Sequence, residues 1–252
     1  MKNIILYLAA FLWAVSPALL FCSPTTTAML AVLARKNAGG APAPTYLLEE
    51  NFEATGYDLG TAPVWYLQEQ LNPDFDATAI PGSDNMTGTY CLEMDNASGT
   101  EFINGYQALT TTGYLEGYFQ YLYTGTGAST IHEIFWVVSD FDAQGKISIF
   151  NNQLYPKHGT TQTLDSGHVL TANQLYHIWW EYHEDPGGST GTMDVWTSTT
   201  TTKPGTGSSH SQAVGAGDTV NGVKAVATDT GGNKAYYDNI RVDDATIGSS
   251  PP

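Results

Sequence analysis

The sequence predicts an all-β protein of two packed sheets, on three observations. Short runs rich in Val, Ile, Thr, Tyr, Phe and Trp recur down the chain, separated by clusters of Gly, Pro, Asn, Asp and Ser. Beyond the N-terminus no segment carries a helical apolar period over a dozen residues, and no internal repeat of about 20–50 residues is present. One stretch, Tyr176 to Glu184 (Tyr-His-Ile-Trp-Trp-Glu-Tyr-His-Glu), alternates in character at every residue. A strand sends alternate side chains to opposite faces. Tyr176, Ile178, Trp180 and Tyr182 therefore make an apolar core face, and His177, Trp179, Glu181 and His183 make an outward face. The expectation is a buried core strand with a binding surface on its back.

Composition allows this. The 252 residues are 42% hydrophobic and 12% aromatic, enough to bury a full-sized single core. Twenty-five acidic residues stand against nine basic ones, for a net charge of −16. That balance argues against nucleic acid, which needs clustered Lys and Arg, and against adsorption to anionic membranes. It suits Ca²⁺, neutral glycans or extracellular solubility.

The elements follow in order. Lys2, the apolar run Ile4–Phe21 and the small-residue exit Cys22–Ala28 have the layout of a secretory signal, with a retained membrane anchor as the competing reading of residues 1–28. Met29 opens a milder apolar stretch and is an alternative start. Residues 29–45 end in a Gly/Pro linker, and the domain is expected over 46–248. Without Cys22 only Cys91 remains, so the exported domain has no internal disulfide and Cys91 is expected to be a buried, inert thiol.

Strands are expected at Tyr46–Phe52, Val64–Leu67, Ala77–Ile80, Tyr90–Asp95, Glu101–Leu109, Tyr114–Tyr123, Thr130–Ser139, Lys146–Phe150, Gln162–Leu164, His168–Leu170 and Leu175–Glu184. Gly191–Ser198, Val220–Thr228 and Ala235–Val242 complete the set. Residues 199–218, rich in Thr, Ser and Gly, are expected to be an exposed loop crossing one end of the sandwich.

Four segments carry a family likeness: Glu49-Glu-Asn-Phe-Glu53, Gly88-Thr-Tyr-Cys-Leu-Glu-Met-Asp95 with Ala97-Ser-Gly99, Leu175-Tyr-His-Ile-Trp179, and Tyr237-Asp-Asn-Ile-Arg-Val-Asp243. Their order resembles the concanavalin A-like lectin/glucanase superfamily, in particular the laminin-G-like jelly rolls of secreted bacterial and phage-associated proteins. The resemblance implies a jelly-roll β-sandwich of two antiparallel sheets and a habit of binding glycans or surfaces, but no single activity. It also implies a structural Ca²⁺ site. The first and last strands of a jelly roll lie side by side, which brings Glu53 to Asp238 with Asp95 or Glu50 nearby, a hard-oxygen donor set.

The chemistry expected is binding without turnover. The surface is assigned to Trp179, His177, Glu181 and His183, joined by His132 from the run Ile131–Asp140. Its partner is a glycan or cell-surface polysaccharide, met in a secreted or surface location. A structural surface or appendage subunit is the alternative, and a glycan-degrading enzyme the second alternative. A glycoside hydrolase needs two facing carboxylates. Glu133 and Asp140 fall on opposite faces of an unbroken strand, and a spacing of three sends Glu181 and Glu184 to opposite faces as well. Thr130-Ile-His132 has a faint likeness to the Gln-Ile-His strand of alginate lyases, without that family's arginine. Zinc-finger cysteine pairs, His-Glu-x-x-His, phosphate loops and Gly-x-Ser-x-Gly are all missing from the sequence.

Overall fold

In the computed structural model, residues 46–53, 66–68, 74–79, 86, 88–95, 102–125, 131–140, 142–157, 169–184, 191–205, 210–214, 219–228, 234–245 and 247 are described. The expected signal or anchor over 1–28 and the linker over 29–45 lie outside them. So do the short strand expected at Gln162–Leu164 and part of that at Val64–Leu67. Among the described residues there is no helix; every element is a strand.

Fourteen strands are described, numbered in chain order, and they form two sheets. The eight-stranded sheet runs β12 (His210–Val214), β11 (Gly191–Ser198), β10 (Gln174–His183), β6 (Tyr114–Tyr123), β14 (Lys234–Asp243), β4 (Tyr90–Asp95) and β3 (Asp74–Ala79), with β1 (Leu48–Glu50) also pairing β14. The six-stranded sheet runs β2 (Tyr66–Gln68), β5 (Phe102–Thr112), β13 (Val220–Thr228), β7 (His132–Ser139), β8 (Asp142–Phe150) and β9 (Gln153–Lys157). All pairings are antiparallel. Tyr46–Pro252 form one compact unit.

The core between the sheets comes from the alternation expected of β10. Tyr176, Ile178, Trp180 and Tyr182 all point into it, beside Phe119 of β6 and Tyr237 of β14. Phe135 of β7 stacks on Phe119 at 4.9 Å and meets Trp180 at 5.3 Å, so aromatic rings join the two layers. Gly117 stands directly across from Trp180, where any Cβ would overlap the indole. A glycine is required at that point by the ring and not by the backbone.

Three expectations need correction. Residues 199–218 are not one end-crossing loop, because His210–Val214 pair with β11 as an edge strand. Gln153–Lys157 also forms an unexpected edge strand; Pro156 is compatible with that position because one side of an edge strand has no ladder partner.

Third, β7 is not unbroken. Glu133 pairs Ser148, Phe135 pairs Ile147, and Ile134 between them has no opposite number on β8. This extra residue is a β-bulge, and it reverses the face of everything after it. His132 before the bulge opposes the core residue Ile149, and Phe135 and Val137 after it also enter the core. Glu133 and Trp136, three apart and so on opposite faces of a regular strand, share the outer one. A bulge leaves a ladder group without its usual partner. Here Ile134 O lies 2.9 Å from Tyr237 Oη, which is 2.7 Å from Val226 O. One buried phenol thus ties the last strand of one sheet to the irregular strand of the other.

Candidate functional site

Each sheet has an outer face, and each gathers polar and aromatic side chains. On the eight-stranded sheet, β10 presents His177, Trp179, Glu181 and His183 outward as expected, but its own chain closes most of that surface. Trp179 is fully buried, packed with Tyr118, Trp196, Ile247 and Tyr46 in a second small apolar cluster. It offers no stacking platform, so that assignment is corrected. Alternation predicts the side of a strand, and here the covering residues lie 17 positions or more away in sequence. His177 is buried too, its Nδ1 2.7 Å from Tyr118 Oη. Burial pushes its pKa below the ordinary 6.5 and keeps it neutral.

Beside this cluster Lys203 lies across the sheet. Its Nζ sits 3.8 Å from the Trp196 ring centre and donates to Glu181 Oε1 at 2.5 Å and Glu116 Oε1 at 3.2 Å. Glu116, almost wholly buried, uses its other oxygen to accept from Ile247 N and from Tyr114 Oη. Glu116, Asp194, Trp196 and Lys203 were not singled out from the sequence. The antiparallel register of β10 and β11 sets Asp194 opposite Glu181. Glu181 and His183 stay accessible at the far end of the face.

His132 is not part of this group. It belongs to β7 in the other sheet, is buried against Ile149, and burial lowers its pKa as well. That assignment is also corrected, because His132 and the β10 residues lie on different sheets.

The outer face of the six-stranded sheet is built from two rows of cross-strand partners. One row is Glu133, Ser148 and Tyr155, across β7, β8 and β9. The other is Lys146, Trp136, Lys224 and Tyr106, across β8, β7, β13 and β5. Lys146 Nζ reaches both oxygens of Glu133 at 3.0 and 3.1 Å and stands 4.3 Å from the Trp136 ring; Lys224 Nζ stands 5.1 Å from the same ring. Two of nine basic residues thus converge on one half-buried tryptophan. Ser148 Oγ and Tyr155 Oη, both buried, make no hydrogen bond among the described residues. Rows of neighbouring strands are about 4.8 Å apart, so the face is a compact grid of hydroxyl, ammonium, carboxylate and ring.

Of the expected Ca²⁺ ligands, Glu53 and Asp238 both lie close enough to Cys91 for their charges to act on its thiol. Glu53 Oε1 accepts from Thr89 N and Tyr90 N at 2.7 and 3.0 Å, and Asp238, fully buried, accepts from Asn239 N at 2.7 Å. Burial, and then the charges of Asp238, Glu93 and Glu53, push the Cys91 thiol up to about 12, so it is inert. Asp95 is not brought to them. It pairs Lys234 at the other end of β4, about 13 Å along the strand from Cys91. Glu50 is closer, opposite Ile240 and bonding Phe52 N at 2.8 Å. Both the Glu50–Glu53 corner and the Asp238–Ile240 corner turn through a left-handed residue, Phe52 and Asn239.

No protein-family model and no curated protein sequence matches this chain. Solved structures do. The protein "Cellulose induced protein, Cip1" is 13% identical with a TM-score of 0.57, over 81% of this chain and 100% of that one. The CBM22-1 xylan-binding domain from Paenibacillus barcinonensis Xyn10C is 12% identical with a TM-score of 0.41, over 82% of this chain and 100% of that one. The GH131 beta-glucanase catalytic domain from Podospora anserina is 13% identical with a TM-score of 0.41, over 64% of this chain and 74% of that one. At such identities it is the architecture that is shared, and the first of these carries it: the chain has the fold of a two-sheet, all-β sandwich.

Proposed function

We propose that residues 46–248 are a concanavalin A-like jelly-roll module that binds a carbohydrate without turning it over, and that the ligand lies on the outer face of the six-stranded sheet. One observation carries the reading: the half-buried Trp136, flanked by Lys146 and Lys224, lies beside Ser148 and Tyr155, whose buried hydroxyls have no partner among the described residues. A sugar offers an apolar ring face to an aromatic and hydroxyls to polar groups, and carbohydrate sites pair those two features. Trp136 and Lys146 keep partial exposure on this face, so a sugar ring can reach the indole and its hydroxyls the ammonium. Export to the cell surface or beyond, through residues 1–28, belongs to the same proposal.

The test is retention on a panel of insoluble and immobilised polysaccharides. Wild type is expected to be retained by at least one glycan, and Trp136→Ala to elute with the void while melting normally. Equal retention of Trp136→Ala and wild type on every glycan counts against the assigned face. Release of soluble oligosaccharide replaces binding with catalysis.

A Ca²⁺ ion at the Glu53–Asp238 corner is a second part of the proposal. The donors Glu53 and Asp238 are carboxylates, hard oxygens that suit Ca²⁺, and the nearby Cys91 thiol stays protonated. Ca²⁺ is expected to raise the melting temperature of wild type and to leave Asp238→Asn unchanged. A wild-type melt indifferent to both Ca²⁺ and chelator removes this part.

A further inference from the structure

We propose that Glu181, His183 and Asp194 form a binding site for a first-row divalent cation of the Zn²⁺ class, at the accessible end of the outer face of the eight-stranded sheet. It is independent of the carbohydrate proposal, which concerns the other sheet. The three residues come together by register alone. Glu181 and His183 are two apart on β10 and so share a face, and Asp194 on β11 is the direct cross-strand partner of Glu181.

The geometry is near that of a coordinated ion. His183 Nε2 lies 3.6 Å from Glu181 Oε2, and one ligand atom from each of the three residues falls within 4.8 Å of the others. Bonds of about 2.0–2.2 Å hold neighbouring ligand atoms roughly 3–3.5 Å apart, so the His183–Glu181 pair is already close to position.

Glu181 is already oriented. Lys203 holds its Oε1, which leaves Oε2 on the side of His183. A positioned outer partner of this kind is a recurrent feature of metal ligands. The Tyr114 ring, 4.8 Å from the imidazole, restricts His183 from its other side.

Charge and donor type select the ion. Glu116, Glu181 and Asp194 supply three negative charges against one ammonium, Lys203, which leaves −2 in a chain whose net charge is −16. An imidazole nitrogen with two carboxylates favours Zn²⁺, Co²⁺ or Ni²⁺ over Ca²⁺, which prefers oxygen alone. The His183 side chain is 46% exposed, so an ion reaches it from solvent. Three protein ligands leave a coordination position for water or for an oxygen of a bound molecule.

The experiment is calorimetric titration of the full chain with ZnCl₂. His183→Ala and Asp194→Asn are each expected to remove one Zn²⁺ per chain or to weaken it at least about tenfold. Asp142→Asn, an exposed acid on the other sheet, is expected to titrate as wild type. In wild type, imidazole NMR resonances provide a readout independent of any variant: His183 shifts with Zn²⁺ and the buried His177 does not. The proposal is overturned if wild type binds no Zn²⁺, if the His183→Ala isotherm superimposes on wild type, or if His183→Ala abolishes Ca²⁺ binding instead.

Discussion

The two outer faces of the sandwich are built from the same materials and end in different states. Each has a tryptophan with a lysine ammonium over it, Trp196 with Lys203 and Trp136 with Lys146. Each has a lysine bridged to glutamate, to Glu116 and Glu181 on one side and to Glu133 on the other. On the six-stranded sheet both lysines come from strands adjacent to the tryptophan, and the ring stays half-buried. On the eight-stranded sheet the lysine arrives from the segment after β11, Ile247 folds over from beyond β14, and Trp179 is sealed. Both faces are largely buried, but Trp136 keeps part of its ring exposed while Trp179 has none. On the eight-stranded sheet it is Tyr46, Trp196 and Ile247, distant in sequence, that close over the indole.

The contrast is sharpest at the tryptophans. Trp179→Ala removes a fully buried indole and is expected to cost about 3–5 kcal/mol in urea unfolding. A cost below about 1 kcal/mol would show that the face is open. Next is Lys203→Met, expected to destabilise by about 2 kcal/mol, because Glu116 stays buried without its ammonium. The same change in a Glu116→Gln background is expected to cost clearly less, which a double-mutant cycle measures. Tyr237→Phe leaves two buried carbonyls, one of them at the bulge, without their phenol and is expected to cost about 1–2 kcal/mol. Trp136→Ala is expected to cost about 1 kcal/mol or less while removing glycan retention.

The smallest effect is a pH dependence. His177 has a folded pKa held below 6.5 by burial, whereas the unfolded chain takes up a proton near 6.5. The unfolded state therefore binds more protons between the two values. The stability from the neutral imidazole is complete above about pH 6.5 and declines as pH falls below it. His177→Gln is expected to flatten the fall between pH 7.5 and pH 5, with His132 supplying the part that remains. An unchanged slope would place His177 in contact with solvent.

Much of the sandwich was legible because burial on one face imposes a period of two. The strand Tyr114–Tyr123 has the expected bounds, and every core residue expected of β10 is in the core. The period assigns a side and says nothing about what covers it, which is why Trp179 was expected on an open surface. Nor does it register an inserted residue. Ile131–Asp140 reads as regular in sequence, and only the pairing with β8 reveals the bulge that places Trp136 and Glu133 together. The carboxylate–imidazole group was half legible. Glu181 and His183 stand out in one strand, while Asp194 becomes their neighbour only through hairpin register.

The bulge at Ile134 makes the six-stranded sheet's outer surface depend on pairing register as well as residue identity. Paired without the bulge, the same residues would alternate strictly from Glu133 onward, turning Trp136 inward and Phe135 outward with no letter of the sequence altered. A change of register in one strand thus has the reach of a multiple substitution. Tyr237, whose hydroxyl bonds the Ile134 carbonyl from the opposite layer, is the clamp that keeps the frame as it is.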